Sequence, residues 1–85
     1  MPFRVYVLRS LRDKKFYKGM TQNLDERLKD HNAGRVPSTR HRRPFELAYF
    51  ETYATRDQAR NREKFFKSGP GVKFLKAILA EKAQL

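Results

Sequence analysis

The chain has 85 residues, a length that fits one small domain over residues 1–85 and no more. Lys and Arg number 20 against 9 Asp and Glu, a formal charge of +11, while 39% of residues are hydrophobic and 13% aromatic. The apolar share supports a packed core and excludes a disordered chain; the positive excess only adds self-repulsion inside a fold, so it points to a polyanionic partner.

Cysteine is absent, which removes disulfides, thiolate metal sites and a cysteine nucleophile. The longest apolar runs are Val5–Leu8, Leu47–Phe50 and Ala77–Ala80. All fall far short of the about 20 residues that span a bilayer. Arg4 and Arg9 bracket the first run, and no secretory leader or cleavage pattern follows. A cytoplasmic protein without membrane attachment is the expectation.

In chain order, Phe3 to Leu8 and Phe16 to Gly19 are predicted strands around the polar turn Leu11 to Lys14, an antiparallel hairpin. Alternation puts Phe3, Val5 and Val7 on one face of the first strand and Arg4, Tyr6 and Leu8 on the other. Asn23 is a predicted helix N-cap, with Asp25 and Glu26 in the first turn and Glu26 at the capping-box position. That helix should run to Ala33 and stop at Gly34. Along it, Leu24 and Leu28 are four apart, as are Arg27 and His31, giving an apolar stripe beside a cationic one.

Gly34 to Pro44 is a predicted loop carrying Arg35, Arg40, His41, Arg42 and Arg43 and no acid. Phe45 to Tyr53 is the third predicted strand, with Leu47, Tyr49, Glu51 and Tyr53 alternating against Glu46, Ala48, Phe50 and Thr52. Thr55 caps a second helix, paired with Gln58, that ends at Ser68-Gly69-Pro70. A third helix from Gly71 to Glu81 shows Val72, Leu75, Ile78 and Leu79 at helical spacing. The order β-β-α-β-α-α predicts an α+β fold, a three-stranded and mainly antiparallel sheet flanked by helices.

Ala59, Arg62, Glu63 and Phe66 share one face of the second helix, which draws Glu63 inward. A carboxylate bordering a core is costly unless paired or bound to metal. An ion pair with Arg62, Arg60 or Lys67 on a solvated face is the competing reading. Tyr6 and Tyr17 lie on neighbouring strands, where their hydroxyls either converge or simply cap two packed rings. A phenol serves as a base near neutral pH only beside positive charge, which Arg27 and His31 would provide. Two histidines without cysteine make a poor zinc site, whereas one hard cation fits a single carboxylate completed by water and phosphate oxygens. The loop arginines either track a phosphate backbone or keep a surface soluble; arginine in place of lysine favours binding.

These features resemble the GIY-YIG nuclease superfamily, in particular its small stand-alone bacterial members. Val5-Tyr6-Val7 and Tyr17-Lys18-Gly19 match its two motif strands, and Asn23 to Asn32 looks like its arginine helix. Ser38-Thr39-Arg40 and Arg43-Pro44-Phe45-Glu46-Leu47 match its loop and third strand, and Arg62-Glu63-Lys64 falls at its metal-binding glutamate. The resemblance covers residues 3–76. It implies a phosphodiester hydrolase using one Mg²⁺ or Mn²⁺ held by Glu63. It also implies that Tyr6 or Tyr17 activates water, that Arg27 stabilises the phosphate, and that His31 assists the tyrosine.

Val5 and Val7 replace the glycine and isoleucine of the first motif, and Lys18 stands at an apolar position, where it would either be less buried or contact phosphate. Lys64 to Leu85 holds no asparagine, a residue that several family nucleases use after the glutamate. Nucleic acid is the expected partner, DNA ahead of RNA, gripped by Lys18, Arg35, Arg40, Arg42 and Arg43. The leading reading is a structure-selective or weakly selective DNA endonuclease of repair or recombination. The alternative is a module of the same fold that binds DNA or RNA without cutting it.

Overall fold

A computed structural model describes residues 1–83. Its elements are β1 (Phe3–Ser10), β2 (Phe16–Thr21), α1 (Leu24–Ala33), a 3-10 turn (Arg40–Arg42), β3 (Phe45–Tyr53), α2 (Arg56–Lys67) and α3 (Gly69–Ala83). The sheet is antiparallel throughout, in the order β2-β1-β3. The α+β order expected from the sequence is therefore observed. No helix among the described residues is long and apolar enough to cross a membrane.

The central strand β1 is buried on both faces. Val5 and Val7 pack with Ala59 and Phe66 of α2 and Leu75 of α3; Tyr6 and Leu8 pack on the opposite face with Leu24 of α1 and Phe45. Removing a large side chain such as Phe66 fully from water stabilises the fold by about 2 kcal/mol. Tyr17 and Leu28 close over the α1 layer.

Four local details depart from the expected pattern. Both hairpin strands extend two residues further than expected, to Ser10 and Thr21. The Ser10 hydroxyl accepts from the backbone N–H groups of Arg12 and Asp13 and donates to the Arg42 carbonyl, which tightens the turn and ties it to the arginine loop. At α1, Asn23 caps Glu26 N–H at 3.1 Å, but no reciprocal capping box forms, because the Thr21 hydroxyl already accepts the Asn23 N–H. Glu26 accepts from the Asn23 side-chain amide instead. The helix stops at Gly34, whose φ of 81° suits a residue without a side chain.

On β3 the strict alternation fails. Val7 faces Tyr49 but Leu8 faces Leu47, so Ala48 is an extra residue, a β-bulge. Leu47 consequently shares the α1 face with Phe50, while Tyr49, Glu51 and Tyr53 line up with Val7, Val5 and Phe3 beneath α2. At the other end, α3 starts at Gly69 and not Gly71, since Ser68 both ends α2 and accepts the Gly71 N–H, and proline is tolerated in a first turn.

One polar network fastens α2 to the sheet. The Glu51 carboxylate accepts from Tyr49 and Tyr53 hydroxyls, each at 2.6 Å, and from Arg62 Nε at 2.8 Å and Nη2 at 3.1 Å. Burial pushes the Glu51 carboxyl up, yet its hydrogen bonds from Arg62 and both tyrosines win and hold it below its ordinary value. Burial and the same carboxylate push the Tyr49 phenol up to about 12. The Arg62 guanidinium also lies 4.7–4.8 Å from the ring centres of Phe65, Phe66 and Phe74. Replacing Glu51 by Ala leaves three donors without their shared acceptor. It is expected to lower stability by about 3 kcal/mol, read from the urea midpoint; a loss under about 0.5 kcal/mol would show that this network does not hold α2.

Candidate active site

The α1 face of the hairpin gathers Tyr6, Tyr17, Arg27 and His31. Tyr6 is on β1, directly opposite Gly19 of β2. A Cβ on Gly19 would lie 2.5 Å from the Tyr6 hydroxyl oxygen, so the phenol passes over the one position in β2 that leaves room for it. Its oxygen is 3.1 Å from His31 Nε2. His31 comes from the last turn of α1, four residues after Arg27, so both side chains descend on the same hydroxyl.

Two further rings flank this contact. Tyr17 is centred 5.0 Å from His31 and 6.4 Å from Tyr6, and Phe45 is 5.8 Å from His31 on the far side. Tyr6 is 1% exposed and His31 0%. Burial pushes the Tyr6 phenol above its ordinary value, opposed by the Arg27 guanidinium that donates to its oxygen. The same hydrogen bond raises Arg27. His31 is held below its ordinary value first by burial and then by the Arg27 charge, against a weaker pull from Asp30. A neutral imidazole, a phenol and a guanidinium thus meet at one point.

Glu63 arrives from the other layer. Helix α2 packs on the Val5 and Val7 face, whereas Tyr6 points to α1. The carboxylate nevertheless acts electrostatically on the Tyr6 hydroxyl, raising it as the weakest of the contributions there. Its side chain is 20% exposed, and Lys67 Nζ stands 3.8 Å from Oε2. Among the three ion-pair partners considered from the sequence, Lys67 is the one found. Arg62 turns instead to Glu51, and Arg60 is exposed.

The basic residues divide into two groups. Arg35 pairs with Asp30 at 2.8 Å and Arg42 with Asp13 at 2.7 Å, while Arg43 Nε donates to the Arg40 carbonyl at 2.6 Å. Arg40 itself is exposed. Arg12 donates to the His41 carbonyl, so the hairpin turn and the arginine loop hold each other. Lys18 lies on the Val7 face of β2, half-buried. Burial, Lys67 and Arg42 all lower it.

Sequence reasoning missed Thr39. It is 0% exposed, and its hydroxyl oxygen is 2.8 Å from His31 Nδ1. The sequence marks it only as the middle of the matched loop segment Ser38-Thr39-Arg40, with no role attached to its hydroxyl.

A tyrosine-bearing hairpin, an arginine helix and a glutamate helix on one small sheet make up a nuclease-family domain. Residues 2–69 match the model of the GIY-YIG catalytic domain, and the chain belongs to that family. It is 41% identical over 64 residues to a UPF0213 protein of Clostridium perfringens, covering 74% of this chain and 68% of that one. It is 44% identical over 63 residues to a UPF0213 protein of Bacillus licheniformis, covering 73% of this chain but 64% of that one, just under two thirds. A UPF0213 protein of Oceanobacillus iheyensis is 39% identical over 75 residues, 87% and 86% of the two chains. Among solved structures, the solution NMR structure of the UPF0213 protein BH0048 from Bacillus halodurans is 30% identical. It has a TM-score of 0.56, covering 92% of this chain and 85% of that one.

Two outcomes test this geometry. Gly19→Ala is expected to force the Tyr6 ring off His31, costing about 1–3 kcal/mol of stability and erasing ring-to-ring NOEs between the two; retained NOEs would refute the close crossing. His31 titrates lower in the fold than its unfolded value of about 6.5, so below that pH the unfolded chain takes up a proton that the folded ring refuses. Stability is therefore lost as pH falls from about 6.5 through the folded value. The drop in urea midpoint between about pH 7.5 and about pH 5.5 should be shallower in His31→Gln than in the unsubstituted chain; an equal drop would remove His31 from the balance.

Proposed function

We propose that this protein is a divalent-metal-dependent endonuclease that hydrolyses phosphodiester bonds in DNA. The observation that supports this most is the meeting of Tyr6, His31 and Arg27 on the hairpin of a GIY-YIG catalytic domain. Hydrolysis by in-line attack builds negative charge on the phosphoryl oxygens, and a fixed guanidinium placed there stabilises it. Arg27 fills that role: the Tyr6 oxygen and Asp30 already fix its position. Tyr6 is the base. Its hydroxyl hands its proton to His31 as its oxygen takes one from the attacking water, so the phenol never stands as an isolated anion in a buried place. Tyr17 packs against both rings and lines the approach.

Glu63 suits one hard cation. It is a half-buried oxygen ligand that accepts no hydrogen bond among the described residues, and its Lys67 partner stands beyond hydrogen-bond length. No group of three His, Cys, Asp or Glu side chains clusters among the described residues, so water and substrate oxygens would complete the shell of a single Mg²⁺ or Mn²⁺. Bound there, the ion would offset charge developing on the phosphoryl group. Lys18, Arg35, Arg40, Arg42 and Arg43 supply backbone contacts without base recognition, which suits structure-selective or weakly selective cutting in repair or recombination.

A second reading, a module that grips nucleic acid without cutting, draws on Lys67: its ammonium neutralises Glu63 with no metal present. One experiment separates the two. Labelled nicked, branched and linear DNA, with RNA counterparts, is incubated with Mg²⁺, Mn²⁺ or EDTA. Cleavage with metal and none with EDTA is expected, and Glu63→Gln should reduce the rate at least about a hundredfold while binding stays within about threefold. Binding in EDTA with no product under any condition would establish the binding module instead.

A further inference from the structure

The buried polar chain that starts at Tyr6 does not end at His31, and counting donors and acceptors along it fixes where each proton sits. Arg27 is a donor only, so the Tyr6 hydroxyl proton has one acceptor among its contacts, His31 Nε2 at 3.1 Å. With Nε2 accepting, the neutral ring carries its proton on Nδ1, which faces Thr39 Oγ1 at 2.8 Å. The Thr39 hydroxyl then points its own proton at the Val36 carbonyl, 3.4 Å away at the margin of a hydrogen bond. Every group gives one proton and receives one. The opposite tautomer aims Nε2–H at a phenol oxygen that already accepts from Arg27 and leaves the buried Tyr6 proton without a taker.

We infer that Thr39 is a positioning residue that holds His31 in the Nδ1–H tautomer, so that Nε2 is the proton acceptor for Tyr6. The inference rests on the reading of Tyr6 as the base. The proton balance is complete: water gives a proton to the Tyr6 oxygen, Tyr6 gives its own to Nε2, and the resulting imidazolium keeps Nδ1–H on Thr39. The groups facing the ring are Tyr6 from β1, Tyr17 from β2, Arg27 and Asp30 from α1, Phe45 from β3 and Thr39 from the loop. Among the described residues, only Thr39 addresses Nδ1. Its placement is firm, since its backbone N–H donates to the Val36 carbonyl at 3.1 Å and its own carbonyl accepts from Arg42 N–H at 2.9 Å. The loop bearing the arginines thereby sets the state of a ring on α1.

The test compares the unsubstituted chain, Thr39→Val and Thr39→Ser. The first measurement is the ¹⁵N spectrum of the His31 ring above its titration, which distinguishes the protonated nitrogen without any substrate. The Nδ1–H form is expected in the unsubstituted chain and in Thr39→Ser. Thr39→Val, of the same shape without the hydroxyl, should show a shift towards Nε2–H. The second measurement is kcat and KM on the best cleaved DNA: kcat should fall about tenfold to a hundredfold in Thr39→Val with KM little changed, and recover in Thr39→Ser. An Nε2–H ring in the unsubstituted chain overturns the inference, and so does an unaltered tautomer in folded Thr39→Val. If no DNA is cleaved under any condition, the nuclease reading fails by itself while the ring spectrum still decides the role of Thr39.

Discussion

A single buried hydrogen bond, Tyr6 to His31, is where the three parts of this small structure must agree. Tyr6 belongs to the central strand, His31 to the helix above it, and Thr39 behind His31 to the arginine loop. A phenol hydroxyl removed from water costs more than it returns unless it is matched. Gly19 makes the crossing geometrically admissible, and His31 makes it energetically so. Because each partner lies on a different element, a slip of the hairpin register by one residue would turn Tyr6 to the α2 layer and leave His31 buried without its acceptor role.

The second layer solves a different problem. Glu63 lies on α2, and its position needs that helix held at a fixed azimuth on a sheet of only three strands. The clamp from Glu51 to Arg62 meets that need, with the neighbouring residue of the helix bearing the carboxylate. Arg62 is held on one side by charge and on the other by three phenylalanine rings, so the helix has little freedom to roll. A polar network that is fully matched can rigidify a core, where one left partly matched would weaken it. This one contributes position as well as stability.

The legible part of this structure is local. Alternation in β1, the Thr55–Gln58 capping box, the stop at Gly34 and the stripe of Arg27 with His31 all depend on spacings of two to four residues, and the structure bears them out. What was hidden depends on pairs far apart in the chain. Thr39 and His31 are separated by 8 residues, Glu51 and Arg62 by 11, and Asp13 and Arg42 by 29. The bulge at Ala48 was hidden for another reason: alternation assumes an unbroken ladder, and nothing in Phe45–Tyr53 marks where one residue is extra. Helix periodicity turns Glu63 inward, but which layer of the sheet it faces is a property of the packing of α2 on the Val5 and Val7 face.

Charge follows the same division between structure and surface. Asp13, Asp30 and Glu51 each fix one arginine in place, so three of the chain's 9 acids are tied to particular structural contacts. Residues 44–55, the β3 edge and its flanks, contain no Lys or Arg at all. The positive excess therefore lies elsewhere, and at β2 it is concentrated enough to work against itself. Lys18 is made more acidic by Lys67 and Arg42 as well as by burial, with like charges held near one another. Folding tolerates this repulsion although packing alone would be served by an apolar side chain at position 18, on the same face as Val7. The cations beside β3 come from other elements: the Arg42 guanidinium lies 5.6 Å from the Phe45 ring centre and that of Arg4 5.9 Å from the Phe50 ring centre. β2 thus carries a cation on the strand itself, whereas β3 has its neighbouring cations supplied by β1 and the arginine loop.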